Sequence, residues 1–220
     1  MEDLKASNLN VIYEDNHIIV VEKPFNVPSQ ADSSRDIDMV TLVKEYIKEK
    51  YQKPGNVYLG LVHRLDRPTG GLMVFAKTSK AAKRLTDSIK NREFHKKYYA
   101  VVTGILDKKE DTLIDYIGKD DNGNAILAND GKYAELKYRV IKEMDSYSLV
   151  DIDLMTGRHH QIRFQFKNIS HPLYGDQRYG VQDKKQLALY AYQLEFVHPT
   201  KKEKMVFKSM PNSSFWKEWI

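Results

Sequence analysis

The sequence contains no cysteine, which excludes disulfides, thiolate metal sites and a cysteine nucleophile. No apolar run approaches the ~20 residues a membrane helix needs. The N-terminal stretch is polar and carries Glu2 and Asp3. It lacks the basic start and apolar core of a secretory leader, so the expected location is the cytoplasm. Internal repeats, low-complexity tracts and Pro/Gly/Ser-rich linkers are also missing, and the expectation is one domain over residues 1–220 with its core at about 10–212. Neither a Gly-x-x-x-x-Gly-Lys-Ser/Thr phosphate loop nor a Gly-x-Gly-x-x-Gly turn occurs, so no nucleotide cofactor is expected. A His-Glu-x-x-His pair is absent too, and with no cysteine to complete a zinc set no metal is expected.

Arginine is scarce. Of 35 basic residues only nine are Arg, and five of these (Arg64, Arg67, Arg158, Arg163 and Arg178) fall in two short stretches, 61–71 and 154–180. Arg makes planar, bidentate contacts to phosphate and carboxylate that Lys cannot match, so those stretches read as a site. The remaining composition is ordinary. The 220 residues are 41% hydrophobic and 30% charged, enough for one sizeable core. The net charge of +5 suits a polyanionic partner.

The patterning predicts an α+β domain: a mixed, largely antiparallel sheet with flanking helices, without the regular alternation of a doubly wound fold. Residues 11–13 and 18–22 read as a hairpin turning at Asp15-Asn16. Residues 23–35 read as a loop, and Asp36 or Asp38 caps a helix over 39–51. Strands are expected at 58–62, 72–77, 98–102, 134–141, 148–154, 188–196 and 205–208. Thr78 or Ser79 caps a second helix carrying Ala82, Leu85 and Ile89 on one face. A third helix is expected over 159–166, which puts His159 and Arg163 on one face.

Chemistry concentrates in two segments. In the first, a polar, Gly-rich loop over 63–71 places Asp66 between Arg64 and Arg67, followed by Gly70 and Gly71. A carboxylate flanked by guanidinium groups stays ionised and serves as a nucleophile or stabilises a developing cation. The two glycines permit a sharp turn or close ligand approach. The second segment, Thr156-Gly157-Arg158-His159-His160-Gln161-Ile162-Arg163, holds a doubled histidine. Adjacent side chains on a helix diverge, so His160 reads as a packed or hydrogen-bonded residue rather than a ligand.

Taken together, His63-Arg64-Leu65-Asp66 with Thr69-Gly70-Gly71, then Lys96-Lys97-Tyr98-Tyr99-Ala100, then Thr156 to Arg163 and His171-Pro172 through Gly175-Asp176 and Tyr179-Gly180, resemble the RluA-type family of RNA pseudouridine synthases. The opening hairpin through Lys23-Pro24 fits as well, so the resemblance covers nearly the whole chain in the family's order. Gly70 departs from the family's usual Ser, Thr or Cys, and His159 from a smaller residue. The resemblance implies isomerisation of uridine in RNA, without a cofactor. It assigns catalysis to Asp66, the uracil face to Tyr98, an ion pair with Asp66 to Arg163, and eviction of the uridine from its stack to Arg64. If the register of that strand is shifted, Tyr99 takes the place of Tyr98. Flipping costs about a few kcal/mol, least in loops, where RNA sequence is exposed for reading.

The expected partner is therefore an RNA stem-loop, ribosomal or transfer, bound by a monomer without an appended N-terminal RNA-binding domain. Lys80, Lys83, Lys96 and Lys97 offer sequence-independent phosphate contacts, although most single lysines of this kind are solvated surface residues. The residues leave two rival readings. One is an inactive relative that only holds RNA, which the intact Asp66 argues against. The other is a glycosidase, which needs a second carboxylate about 5–10 Å from the first; Asp176 is the one other acid in these stretches, and its turn reads as structural.

Overall fold

The first chain reversal is built by one carboxylate. Asp15 Oδ1 accepts the backbone N–H groups of His17 (2.8 Å) and Ile18 (3.0 Å), turning the chain between β1 (Val11–Glu14) and β2 (Ile18–Lys23). Asp38, one of the two expected caps, accepts the N–H groups of Val40 and Thr41 and starts α1 (Met39–Lys50). The expected strand over 58–62 is confined to β3 (Gly60–Leu61). Its partner β4 (Gly70–Ala76) begins two residues earlier than the apolar run suggested, so both glycines lie within a strand. Gly71 pairs with Lys23 of β2 at φ +119°, and a Cβ on Gly70 would stand 3.0 Å from the Phe25 ring. Thr78 caps α2 (Ser79–Lys90) by accepting the Ala81 N–H.

The computed structural model describes residues 4–220, whose contacts group into two compact units. The first runs through Phe94 and takes up Gln193–Met210; the second holds His95–Tyr192 and Pro211–Ile220. In the first unit β2 pairs antiparallel with β1 and with β4, and β4 with β3.

The second unit is built on β5 (His95–Thr103), β6 (Glu110–Lys119), β7 (Ala125–Leu127), β8 (Lys132–Met144) and β9 (Tyr147–Leu154). The antiparallel pairings run β5–β9–β8–β6–β7. β6 and β7 were not anticipated. β6 mixes charged with apolar residues and β7 is only three residues long, and Ile114, Tyr116 and Leu127 are exposed, so the run lacks the apolar density that marked the other strands. The third helix, α3 (Gln161–Asn168), starts two residues later than expected. His160 sits at φ +51°, in the left-handed region that a helix does not contain. His159 is therefore off the helix and shares no face with Arg163. The two histidine rings do not diverge: they stack with centroids 3.7 Å apart.

β10 (Leu189–Val197) carries the chain back into the first unit, where Gln193–Val197 pairs antiparallel with β11 (Lys204–Lys208). Phe196 and Phe207 join Ile18, Val20, Leu72, Val74, Leu85 and Phe94 in that unit's core. The chain ends in the second unit with the short helix α4 (Ser214–Lys217), whose Trp216 is buried against Tyr190. The α+β reading holds. Among the described residues no helix is long and apolar enough to cross a membrane.

Candidate active site

In the first unit Asp66 lies on the loop between β3 and β4, and four anchors hold that loop. His63 is buried; Val74 N–H donates to its Nε2 (3.0 Å), which places the ring proton on Nδ1, and the ring packs on Phe94. Ser29 Oγ donates to Leu65 O (2.7 Å) and accepts from Leu65 N–H (3.1 Å). Thr69 N–H donates to Asp66 O (2.9 Å), closing a turn over residues 66–69. The fourth anchor is Lys23, a fully buried lysine. Its Nζ donates to the carbonyls of Pro24 (2.9 Å), Val27 (2.5 Å) and Arg67 (2.9 Å), one acceptor for each N–H of an ammonium. Burial pulls this ammonium down to about 7, and the nearby Asp66 carboxylate opposes the pull.

The alternation along the loop decides what faces out. His63 and Leu65 are buried, Arg64 between them is exposed, and Asp66 is half-buried. Among the described residues the Arg64 side chain has no hydrogen bond or ion pair. Arg67 differs from the simple picture of Asp66 clasped by two arginines. Its guanidinium donates to Ser34 Oγ (2.9 Å) and to Asp36, with Asp32 at 3.6 Å. In this unit a buried cation, Lys23, lies within electrostatic reach of Asp66, and the sequence does not disclose it because a buried lysine has no local signature.

In the second unit Arg163 is buried on α3. Its Nε and Nη2 donate to Asp176 at 2.8 and 2.7 Å, and its guanidinium carbon lies 5.2 Å from the Tyr179 ring centroid. Asp176 is 0% exposed and also accepts the N–H groups of Arg178 (2.9 Å) and Tyr179 (3.0 Å). Burial disfavours its charge, but these donors outweigh that and hold the carboxyl below its ordinary range. Tyr179 Oη accepts the Ala125 N–H and meets His160 Nδ1, both at 2.8 Å, so His160 is hydrogen-bonded as expected.

A polar chain fixes α3 beneath Arg163. Gln161 Oε1 accepts Thr156 Oγ1–H (2.8 Å) and the Arg158 N–H (3.0 Å). Gln161 Nε2 then donates to Gln165 Oε1 (3.0 Å), and Gln165 Nε2 to Asp115 (2.7 Å). On β5, Tyr98 pairs with Ile152 and is buried, while Tyr99 pairs with Asp151. Tyr99 stacks on Tyr192 at 4.0 Å, and Tyr192 Oη donates to Asp151 (2.9 Å). Strand alternation thus separates the two tyrosines and commits Tyr99 to a stack of its own. Among the described residues no group of three or more His, Asp or Glu side chains is arranged to hold a metal.

The sequence profile described as RNA pseudouridylate synthase matches residues 17–168. An uncharacterized RNA pseudouridine synthase of Aquifex aeolicus (strain VF5) is 36% identical over 226 residues, covering 94% of this chain and 71% of that protein. Ribosomal large subunit pseudouridine synthase D of Haemophilus influenzae is 33% identical over 221 residues, covering 90% and 65%. Ribosomal large subunit pseudouridine synthase C of Buchnera aphidicola subsp. Schizaphis graminum is 30% identical over 210 residues, covering 89% and 65%. The chain thus spans from just under two thirds to about 70% of the length of these relatives. In fold it matches human RNA pseudouridylate synthase domain containing 4 (TM-score 0.81, 21% identity, 96% of this chain and 92% of that one). It also matches human RNA pseudouridylate synthase domain containing 1 (TM-score 0.77, 23% identity, 96% and 86%).

Proposed function

Since the chain belongs to the RNA pseudouridylate synthase family, in its RluA type, and is an isomerase acting on uridine in RNA, we propose that Asp66 is the carboxylate that performs the isomerisation. The reaction breaks the ribose C1′–N1 bond, turns the base and joins C1′ to C5. The C5 proton leaves and N1 gains one, so atoms balance without water or a cofactor. One ionised carboxylate meets this need, whether it attacks the sugar, attacks the base or removes a sugar proton.

The observation that carries the assignment is the loop itself. Ser29, His63 and Lys23 hold its backbone, while Asp66 stays half-buried and the neighbouring Arg64 points outward. Rigid backbone under a reactive side chain is the preorganisation that catalysis rewards. Asp176, the other acid of the motif segments, is consumed by Arg163, which favours a one-carboxylate isomerase over a glycosidase. In this proposal Arg64 displaces the uridine from its stack and Tyr98 lies against the uracil face. Arg163, oriented by Asp176, pairs with Asp66. The commitment of Tyr99 to Tyr192 supports Tyr98 over its neighbour.

Relatives named for the large ribosomal subunit favour ribosomal RNA as the target class. We further propose that the protein acts as a monomer, as one catalytic domain, in the cytoplasm. The test is pseudouridine mapping of total RNA from cells lacking the gene, rescued with wild type or Asp66→Ala. Loss of a ribosomal site that only wild type restores is expected. A transfer RNA site would correct the target class, and restoration by Asp66→Ala would refute the role of Asp66.

A further inference from the structure

Four lysines in this chain carry the sequence pattern of generic phosphate contacts, and their surroundings separate them. Lys80 and Lys83 are exposed on α2, where Lys83 pairs with Asp87 at 2.8 Å. Lys97 faces Asp153 of β9 at 3.9 Å. Lys96 is different. It is half-buried, and among the described residues its ammonium has neither a carboxylate partner nor a hydrogen-bond acceptor. Its tip lies against Gly157, where a Cβ would stand only 3.1 Å from Nζ. Gly157 is itself exposed, so the missing side chain leaves an opening from solvent onto the ammonium.

Burial pulls Lys96 down to about 8, which keeps most of it charged at neutral pH. A partly desolvated cation without a counter-charge is unfavourable until an anion reaches it. Its place on the strand indicates which anion. Lys96 precedes Tyr98 by two positions on β5, so the two side chains leave the same face about 7 Å apart along the strand. That step is comparable to the span from base to phosphate across one ribose.

We propose that Lys96 is a substrate-binding residue that takes a backbone phosphate of the target uridine through the opening over Gly157, while Tyr98 faces the base. This rests on the reading of Tyr98 and Asp66 given above. It also differs from diffuse electrostatic attraction, because it names one phosphate.

The test uses a stem-loop carrying the mapped uridine, synthesised with an ordinary backbone or with one uncharged methylphosphonate on the 5′ or 3′ side of that uridine. Wild type, Lys96→Met, Lys96→Arg and Gly157→Ala are compared. Losing one charged hydrogen bond should raise KM about tenfold in Lys96→Met, with kcat nearly unchanged and the melting temperature unchanged or higher. The salt dependence of log Kd should flatten by about 0.7. One methylphosphonate position should cost wild type the same factor and cost Lys96→Met nothing. Lys96→Arg should retain most of the effect, and Gly157→Ala, which displaces the ammonium without removing it, should raise KM in the same direction. Equal methylphosphonate penalties in wild type and Lys96→Met at both positions would overturn the subsite while leaving the synthase reading intact. Failure of wild type to convert the unmodified stem-loop would overturn that reading and the subsite with it.

Discussion

Asp176→Asn changes one atom type and tests whether charge at Asp176 is what holds Arg163. In the native protein one carboxylate oxygen, Oδ1, accepts Arg163 Nη2 and the N–H groups of Arg178 and Tyr179, while Oδ2 accepts Arg163 Nε. Asparagine has one acceptor oxygen and an NH2 that only donates. Its best orientation keeps the oxygen at the three-donor position, which turns the NH2 toward Arg163 Nε–H, donor against donor. The side chain is fully buried, so water does not repair the contact. Removing one partner of a buried pair costs about 3–5 kcal/mol, and at this chain length that lowers the melting temperature by roughly 6–20 °C. Urea unfolding followed by tryptophan fluorescence reads the right unit, because Trp216 and Trp219 both lie in it. The double variant Arg163→Met/Asp176→Leu removes both charges and should be less destabilised than Asp176→Asn. An Asp176→Asn protein within about 1 kcal/mol of wild type would refute the argument, as would a double variant that loses the sum of the single effects.

Three further outcomes are expected. Lys23→Met deprives three carbonyls of their donor; it should cost about 2–5 kcal/mol and lower kcat more than it raises KM, and full activity in single-turnover assays would contradict the bracing role. Gly175→Ala places a Cβ 2.2 Å from Gln186 O at φ +69°, a backbone clash worth more than about 4 kcal/mol, so soluble expression of a folded variant would count against it. The third outcome concerns acid. Burial disfavours the Asp15 and Asp176 carboxylates, but the N–H groups of His17 and Ile18, and Arg163, hold both below their ordinary range. Depressed carboxyl groups stabilise the fold fully above the unfolded value, near 4, and lose that contribution as pH falls through the folded value. Urea midpoints should therefore be level above about pH 5 and fall below about pH 4, with a shallower fall in Asp15→Asn; an unchanged slope in that variant would exclude Asp15 as a contributor.

Much of this was legible in the residues. Apolar, β-prone runs located β2, β4, β5, β8, β9, β10 and β11, and side-chain oxygens at Asp38 and Thr78 marked helix starts. What stayed hidden has physical reasons. β6 exposes Ile114 and Tyr116 and, between the buried Leu113 and Ile117, turns Asp115 toward Gln165 and Asn168 of α3, which blurs the usual contrast between an apolar inner and a polar outer face. The start of α3 depends on the backbone handedness of His160, which residue type does not determine. In the candidate site, Asp66, Tyr98 and Arg163 stood out through motif order. Their supports did not, since Lys23 looks like any lysine until its three carbonyl partners are seen, and Asp176 looked structural without revealing that its partner is Arg163.

The amide chain along α3 has a direction. Because Gln161 Oε1 is taken by Thr156 and the Arg158 N–H, its amide points its donors at Gln165, and Gln165 in turn points its own at Asp115. Reversing any one amide sets acceptor against acceptor at one end and donor against donor at the other. The arrangement has a single solution, and a helix slipped by one residue or one turn finds none. Placed one turn apart inside the protein, the two glutamines act as a vernier. They contribute little area to the core, but they specify the rotation and height of α3 and hence the address at which its guanidinium is delivered.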